Sequence, residues 1–210
     1  MGGRAGGGSG MGSGTRGGDA SMRHMSAAAQ KAAKQAEESI RRQEVEYGVV
    51  MDEKGNVIWK GTDNKNNRIH YGASITDRIT IHNHPSVDIV KGKRVERLDN
   101  GGSFSKTDLI NAARANVAES RVVTGKYTFS IRRPKEGWRQ GGWVGDKFYS
   151  NNAYAYKKAK AKVDKRIKEY YKATAGSKSS YPRVSATYWH LVNKEYAKMQ
   201  GYTYTKTKIH

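Results

Sequence analysis

Apolar and polar positions alternate most clearly between residues 47 and 82. In "YGVVMDEKGNVIWKG", Val49, Val50 and Met51 form one apolar arm and Val57, Ile58 and Trp59 a second. Gly55-Asn56 lies between them, which predicts strand, turn, strand. In "RITIH", Ile79 and Ile81 alternate with Arg78, Thr80 and His82, the period of a third strand. The period then changes. In "TDLINAARANVAES", Leu109, Ile110, Ala113 and Val117 recur at helical spacing. "RVVTGKYTFSI" predicts two more strands around Gly125, closed by Pro134. Upstream, "SAAAQKAAKQAEESIRRQEVE" predicts a helix over about 26–43, with Ser26 as N-cap and too few large apolar residues to pack more than lightly. Downstream, a Gly/Trp-rich stretch without clear period leads to two further helices, over 152–174 and over "SATYWHLVNKEYAKMQ", the second ended by Gly201. No internal repeat is visible. The expected class is α/β (α+β), a mixed sheet flanked by helices.

Composition divides the chain further. Residues 1–25 form an expected disordered tail, with ten glycines among the first eighteen residues. Residues 26–134 form the expected α/β domain, and 135–210 a basic, tyrosine-rich helical extension. With 210 residues, 36% of them apolar, one modest core is expected. No apolar run reaches the ~20 residues of a membrane span. The first residues lack the apolar stretch of a secretory signal, and Gly6 stands where a myristoylation signal has Ser or Thr. A cytoplasmic location, with no membrane partner, is the expectation.

The chain has no cysteine, which excludes disulfides, thiolate metal sites and cysteine nucleophiles. Any metal site must therefore use His, Asp, Glu and water. The net charge is +20, and residues 151–210 hold 14 basic against 3 acidic side chains. Nine of the thirteen tyrosines also lie beyond residue 150. Positive charge tracks a phosphate backbone and aromatic faces stack on bases, so residues 151–210 suit nucleic acid. A lysine-rich solvated face with the tyrosines as its half-buried seam fits the same pattern equally well.

The chemistry concentrates in "RITIHNHPSVDIVKGKRVERLDNGGSFSKTDL". Side chains i and i+2 of a strand share a face, so His82 and His84 lie on one side, opposite Ile79 and Ile81. Pro85 keeps His84 extended. Two imidazoles so placed can share a metal at ~2.0–2.1 Å. Asp108, at a helix start after a Gly-Gly-Ser turn, is the best third ligand. Ser105, one turn earlier, can donate a hydrogen bond to a developing oxyanion. Ser105-x-x-Asp108 also reads as a capping box, and taken alone that is the commoner meaning. Glu46 suits a proton shuttle, with Glu44 a competitor on the same face. His70 reads as a hairpin-edge residue and His190 as packed or hydrogen-bonded. His24 and His210 fall in tails.

Taken in order, a Glu, His-x-His and Ser-x-x-Asp resemble the JAB/JAMM (MPN) metalloprotease superfamily, over roughly residues 27–132. The wording "HNHPS" is most similar to its bacterial members, the RadC-type branch and the JAB domains of phage and toxin proteins. The resemblance implies a curved mixed sheet of JAMM/cytidine-deaminase-like form. It implies Zn2+ held by His82, His84 and Asp108, with Glu46 holding and deprotonating the attacking water. Ser105 would steady the tetrahedral intermediate. The implied activity is hydrolysis of peptide or isopeptide bonds in a protein or peptide substrate. Twenty-three residues separate His84 from Asp108, more than relatives usually have. Lys91, Lys93, Arg94 and Arg97 in that insertion point to an acidic substrate. "MGGR" and "WHLVNKEYAKMQGYTYTK" resemble segments of phage virion-associated proteins. They imply a location in a phage host's cytoplasm or within a phage virion, and a second reading: a virion accessory protein that binds nucleic acid through 151–210, with the JAMM-like domain inert.

Overall fold

The computed structural model describes residues 26–65, 68–85, 87–90, 93–96, 102–139, 142–144, 147–149, 151–173 and 181–209. The side chains of 87–90, 94–96, 142–144, 147–149 and 181–186 are not among those described. The glycine-rich segment 1–25 lies outside the described residues.

Helix α1 (Ala27–Arg41) begins at Ser26, whose hydroxyl accepts from the Ala29 amide at 3.1 Å. A hairpin follows, β1 (Tyr47–Met51) and β2 (Val57–Thr62), and then β3 (Ile79–Asn83). The segment between His84 and Asp108 contains a two-stranded hairpin of its own, β4 (Val87–Val90) and β5 (Lys93–Glu96). Helix α2 (Lys106–Arg114) leads to β6 (Glu119–Val123) and β7 (Tyr127–Arg132). A short hairpin, β8 (Gly142–Val144) and β9 (Lys147–Tyr149), precedes α3 (Asn151–Ala173), α4 (Tyr181–Gln200) and β10 (Thr203–Lys208).

Six strands form one mixed sheet in the order β10-β7-β6-β3-β1-β2. All neighbours are antiparallel except β3 and β6, which run parallel because α2 carries the chain between them. The class is thus α+β, with four helices and a six-stranded mixed sheet among the described residues. None of these helices is long and apolar enough to cross a membrane.

The central strands of the sheet are buried on both faces. On one side Val122, Phe129 and Ile131 pack with Phe104, Leu109 and Val117, and with Ala159, Val163 and Tyr196 of the C-terminal helices. On the other, Val49, Met51, Ile79, Ile81 and Val123 meet Ala29, Ala33, Ala36 and Ile40 of α1. Residues 135–210 therefore do more than extend a finished domain: α3 and α4 supply core side chains and β10 forms an edge of the sheet. "TYTKTK" escapes sequence patterning because its strand has no fully buried position.

Helix α1 was expected to pack lightly. Its alanines instead let the helix sit close to the sheet, and a buried ionic cluster fastens it there. Arg121 Nη1 lies 2.6 Å from Glu37 Oε1 and its Nε 2.8 Å from Glu119 Oε1. Arg132 reaches Glu119 at 2.7 Å. Arg41 lies 3.6 Å from Glu37 and donates to the Thr124 carbonyl at 2.7 Å. Burial alone would favour a neutral Arg121, but Glu119 and Glu37 outweigh it and hold the guanidinium charged. Removing one member strands a buried charge. Glu37→Ala should lower unfolding free energy by ~3–5 kcal/mol in urea titration. Glu169→Ala, which breaks an exposed pair on α3, should change it by less than ~0.5 kcal/mol.

Candidate metal centre

Strand β3 lies between β1 and β6, and its alternation sorts its side chains. Ile79 and Ile81 enter the core under α1. Thr80 and His82 line a cleft of about 860 Å³ on the opposite face, and His84 follows them one residue past the strand. The His84 amide donates to the Val123 carbonyl at 2.9 Å, which extends the parallel pairing far enough to fix the second imidazole.

Helix α2 brings in the carboxylate. Ser105 is its N-cap: the hydroxyl accepts from the Asp108 amide at 3.2 Å, and the Ser105 amide donates to Asp108 Oδ2 at 2.7 Å. The capping box is thus present, and it fixes the aspartate. The same Oδ2 that closes it faces both histidines.

Three donor atoms converge. His82 Nε2 and His84 Nε2 are 3.2 Å apart, and Asp108 Oδ2 lies 3.7 Å from the first and 3.5 Å from the second. A tetrahedral ion with ~2.0–2.1 Å bonds has ligand–ligand edges of about 3.3 Å. The observed edges bracket that value. A single point lies about 2.0 Å from all three atoms, a bonding distance for a small divalent ion. The residues present fit a metal.

The electrostatics agree. Burial alone would raise the Asp108 carboxyl, but His82 and His84 outweigh it and hold it well below the ordinary carboxylate range. Glu46 sits just before β1, almost wholly buried, with Oε1 3.9 Å from His84 Nε2. Glu44 is exposed and does not line the cleft. Ser105 lines the cleft, and its hydroxyl proton is not used by the cap, where the oxygen only accepts.

Two further residues shape the site without standing out in the sequence. Asn83, between the two histidines, points the other way and is fully buried. Its Oδ1 accepts from the Tyr47 amide at 2.6 Å, and its Nδ2 donates to the carbonyls of Val45 at 3.0 Å and Gln43 at 3.2 Å. One side chain thereby clamps the segment that delivers Glu46. Tyr71 places its hydroxyl 3.4 Å from His82 Nδ1. When Nε2 faces a cation, Nδ1 carries the proton and donates to that oxygen. Burial, then Asp108 and Glu46, push the phenol up, so it stays protonated. The Tyr71 ring fits only because β1 has a glycine beneath it: a Cβ on Gly48 would lie 2.8 Å from the ring. Cβ atoms on Gly61 and Gly72 would likewise strike Trp59, which packs edge-on against Tyr71. Glycines 48, 61 and 72, spaced around two aromatics, were the available signal.

His70 lies on the cleft wall and pairs with Asp63 at 2.5 Å, while His190 packs on Phe129 and bonds Tyr204 at 3.0 Å. His24 and His210 lie outside the described residues. Of the insertion's basic residues, Lys93 is exposed on β5. Lys91, Arg97 and the side chain of Arg94 lie outside the described residues.

Comparison with protein-family models, with curated proteins and with solved structures finds no match.

Protein purified without chelator should bind one divalent ion per chain, with affinity reduced at least ~10-fold in His82→Ala and in Asp108→Ala by calorimetric titration. Retention should fall as pH drops, because the ligating imidazole must be neutral. Asp108, already held low, stays ionised through that fall. Asn83→Ala should lower stability in urea by ~1–3 kcal/mol, the cost of leaving one such backbone group unsatisfied, or more if several fail to find water.

Proposed function

We propose that the chain is a zinc-dependent hydrolase of peptide or isopeptide bonds, of the JAMM type that its motifs resemble. The observation that supports this most directly is the convergence of His82, His84 and Asp108 on one point, with the buried Glu46 carboxylate alongside in an open cleft. Two imidazoles and a carboxylate suit Zn2+ and leave a position for substrate. The same donor set holds Fe(II) in oxygenases. Glu46 favours the hydrolytic reading, since a carboxylate beside the ion can serve as the base that activates an attacking water.

When bound, zinc polarises a carbonyl and lowers the pKa of a coordinated water to about 7. The remaining work falls to the protein. Glu46 takes a proton from the attacking water as its oxygen adds to the carbonyl carbon. It returns that proton to the departing amine as the C–N bond breaks, so charge and protons balance. Ser105 keeps its proton and donates a hydrogen bond to the developing oxyanion. Tyr71 holds the His82 ring in one tautomer. The Asn83 clamp keeps Glu46 from swinging out of reach.

Glu46→Gln separates binding from chemistry. It should retain zinc at wild-type stoichiometry by plasma mass spectrometry. Cleavage of a peptide library, including lysine-linked isopeptides, should fall by ~10²–10⁴-fold, the contribution of a positioned acid–base group. Unchanged turnover in Glu46→Gln, or iron as the resident metal, would count decisively against this reading.

A further inference from the structure

Helix α3 carries eight basic residues, and they divide into two sets by what they touch. Lys160, Lys162 and Arg166 have work inside the fold: Lys160 pairs with Asp164 at 2.8 Å, and Lys162 and Arg166 both reach Glu195 of α4, at 2.5 and 3.2 Å. Lys157, Lys158, Lys165, Lys168 and Lys172 do not. Lys165 has only a 4.0 Å approach to the exposed Glu169, and Lys158 lies over the Tyr154 ring at 5.4 Å. Lys157, Lys168 and Lys172 have no ion pair among the described residues.

The second set is ordered. At 100° per residue all five fall within a sector of about 100° around the helix axis. The buried residues Asn152, Ala155, Tyr156, Ala159 and Val163 occupy the opposite side. From Lys157 to Lys172 the row runs about 22 Å. Like charges three and four residues apart destabilise a helix. Packing does not explain the row, because its members are exposed.

The tyrosines behave otherwise. Tyr156, Tyr196 and Tyr202 are core residues, and Tyr188 and Tyr204 pack against the same core. Among the described aromatic residues of α3, Tyr154 lies on the row's side and Lys158 covers it, while the exposed Tyr170 and half-buried Tyr171 fall outside the row's sector. Among the described residues this face shows no ladder of stacking platforms, as single strands require. Among the described residues, the positions interleaved with the row, Tyr154 and Ala161, offer no amide or serine side chain to recognise a 2′-hydroxyl, the group that marks duplex RNA.

We infer that α3 docks on the phosphate backbone of duplex DNA through Lys157, Lys158, Lys165, Lys168 and Lys172. A row of ammonium groups carried along one side of a single helix matches a rod bearing one negative charge per ~1.7 Å of axis. Contact is electrostatic and independent of base sequence. It is also independent of the metal centre, since no member of the row lines the cleft.

Fluorescence anisotropy with a labelled mixed-sequence duplex, read from 50 to 200 mM KCl, tests this. Five phosphate contacts give a slope of log affinity against log salt of about −4.5. The variant K157Q/K158Q/K165Q/K168Q/K172Q should bind at least tenfold more weakly at 100 mM with most of the slope gone. The charge-matched variant K31Q/K34Q/K54Q/K135Q/K208Q should keep most of the slope, and His82→Ala all of it. Circular dichroism melting shows that each variant is folded. Equal losses in the two quintuple variants would reduce the effect to net charge and overturn the assignment. Tighter binding of the single strand, or no wild-type binding at 50 mM, would overturn it as well.

Discussion

The register of β3 is the constraint on which the rest depends. Ile81 is paired with Val49 and His82 with Gly48 on one side, and His82 with Val122 on the other. The side-chain period of a strand is two, so a slip of one residue would turn the imidazoles into the α1 core and Ile81 into the cleft. Two neighbours and two packed faces prevent that slip. The strand therefore carries core and chemistry on alternate residues, and the core holds the chemistry in place. Asn83 adds to this lock. It lies on the Ile79–Ile81 side, yet spends its polar atoms on the segment 43–47. The same residue that separates the two histidines thus also places Glu46, which is nearly forty positions away in the chain.

The metal centre shows how a helix terminus can serve two ends. A capping box and a ligand site compete for the same aspartate only if one oxygen cannot face two ways. Here Asp108 Oδ2 closes the cap at 2.7 Å and remains within 3.5–3.7 Å of both imidazoles. The helix gains its N-terminus and the site gains a carboxylate whose position is set by backbone. Without a cation, two imidazole nitrogens 3.2 Å apart beside two carboxylates form a crowded and partly desolvated set. A cation at the point between the three donor atoms would neutralise that crowding directly.

Legibility followed the strength of local pattern. The hairpin of β1 and β2, the strand β3, helix α2 and the pair β6–β7 could be read because apolar period and turn residues agreed there. The Ser26 cap was visible for the same reason. Strand β10 was not: its alternating threonines and lysines bury nothing completely, and it belongs to the sheet through backbone pairing with β7. The hairpin β4–β5 was hidden inside what looked like a loop insertion. The grip of α1 depends on Glu37, Arg41, Arg121 and Glu119, charged residues that a hydrophobic reading assigns to the surface. In the site, the His-x-His and Ser-x-x-Asp spacing could be seen as chemistry. Tyr71 could not, because it reaches His82 from a loop and only the surrounding glycines hint at its ring. Choosing between Glu46 and Glu44 needed the third dimension, since both have the same parity along the chain.

Charge in this protein is used in two physical regimes. Inside, Glu37, Glu119, Arg121 and Arg41 form pairs whose value is positional: each buried charge requires its partner, so α1 has one place to sit. Outside, the row on α3 has among the described residues only the approach of Lys165 to Glu169 and of Lys158 to Tyr154, and its repulsion can be relieved by an anion brought from solution. The two uses predict different responses to salt. Buried pairs are screened weakly, whereas exposed charges beyond ~8–10 Å of one another are screened at physiological ionic strength. Raising salt should therefore leave the fold and the cleft intact while releasing whatever the α3 row holds. A chain whose excess of positive charge served only solubility would have no reason to gather five exposed lysines, four of them without an ion pair among the described residues, on one side of one helix and place the other three basic residues in bridges.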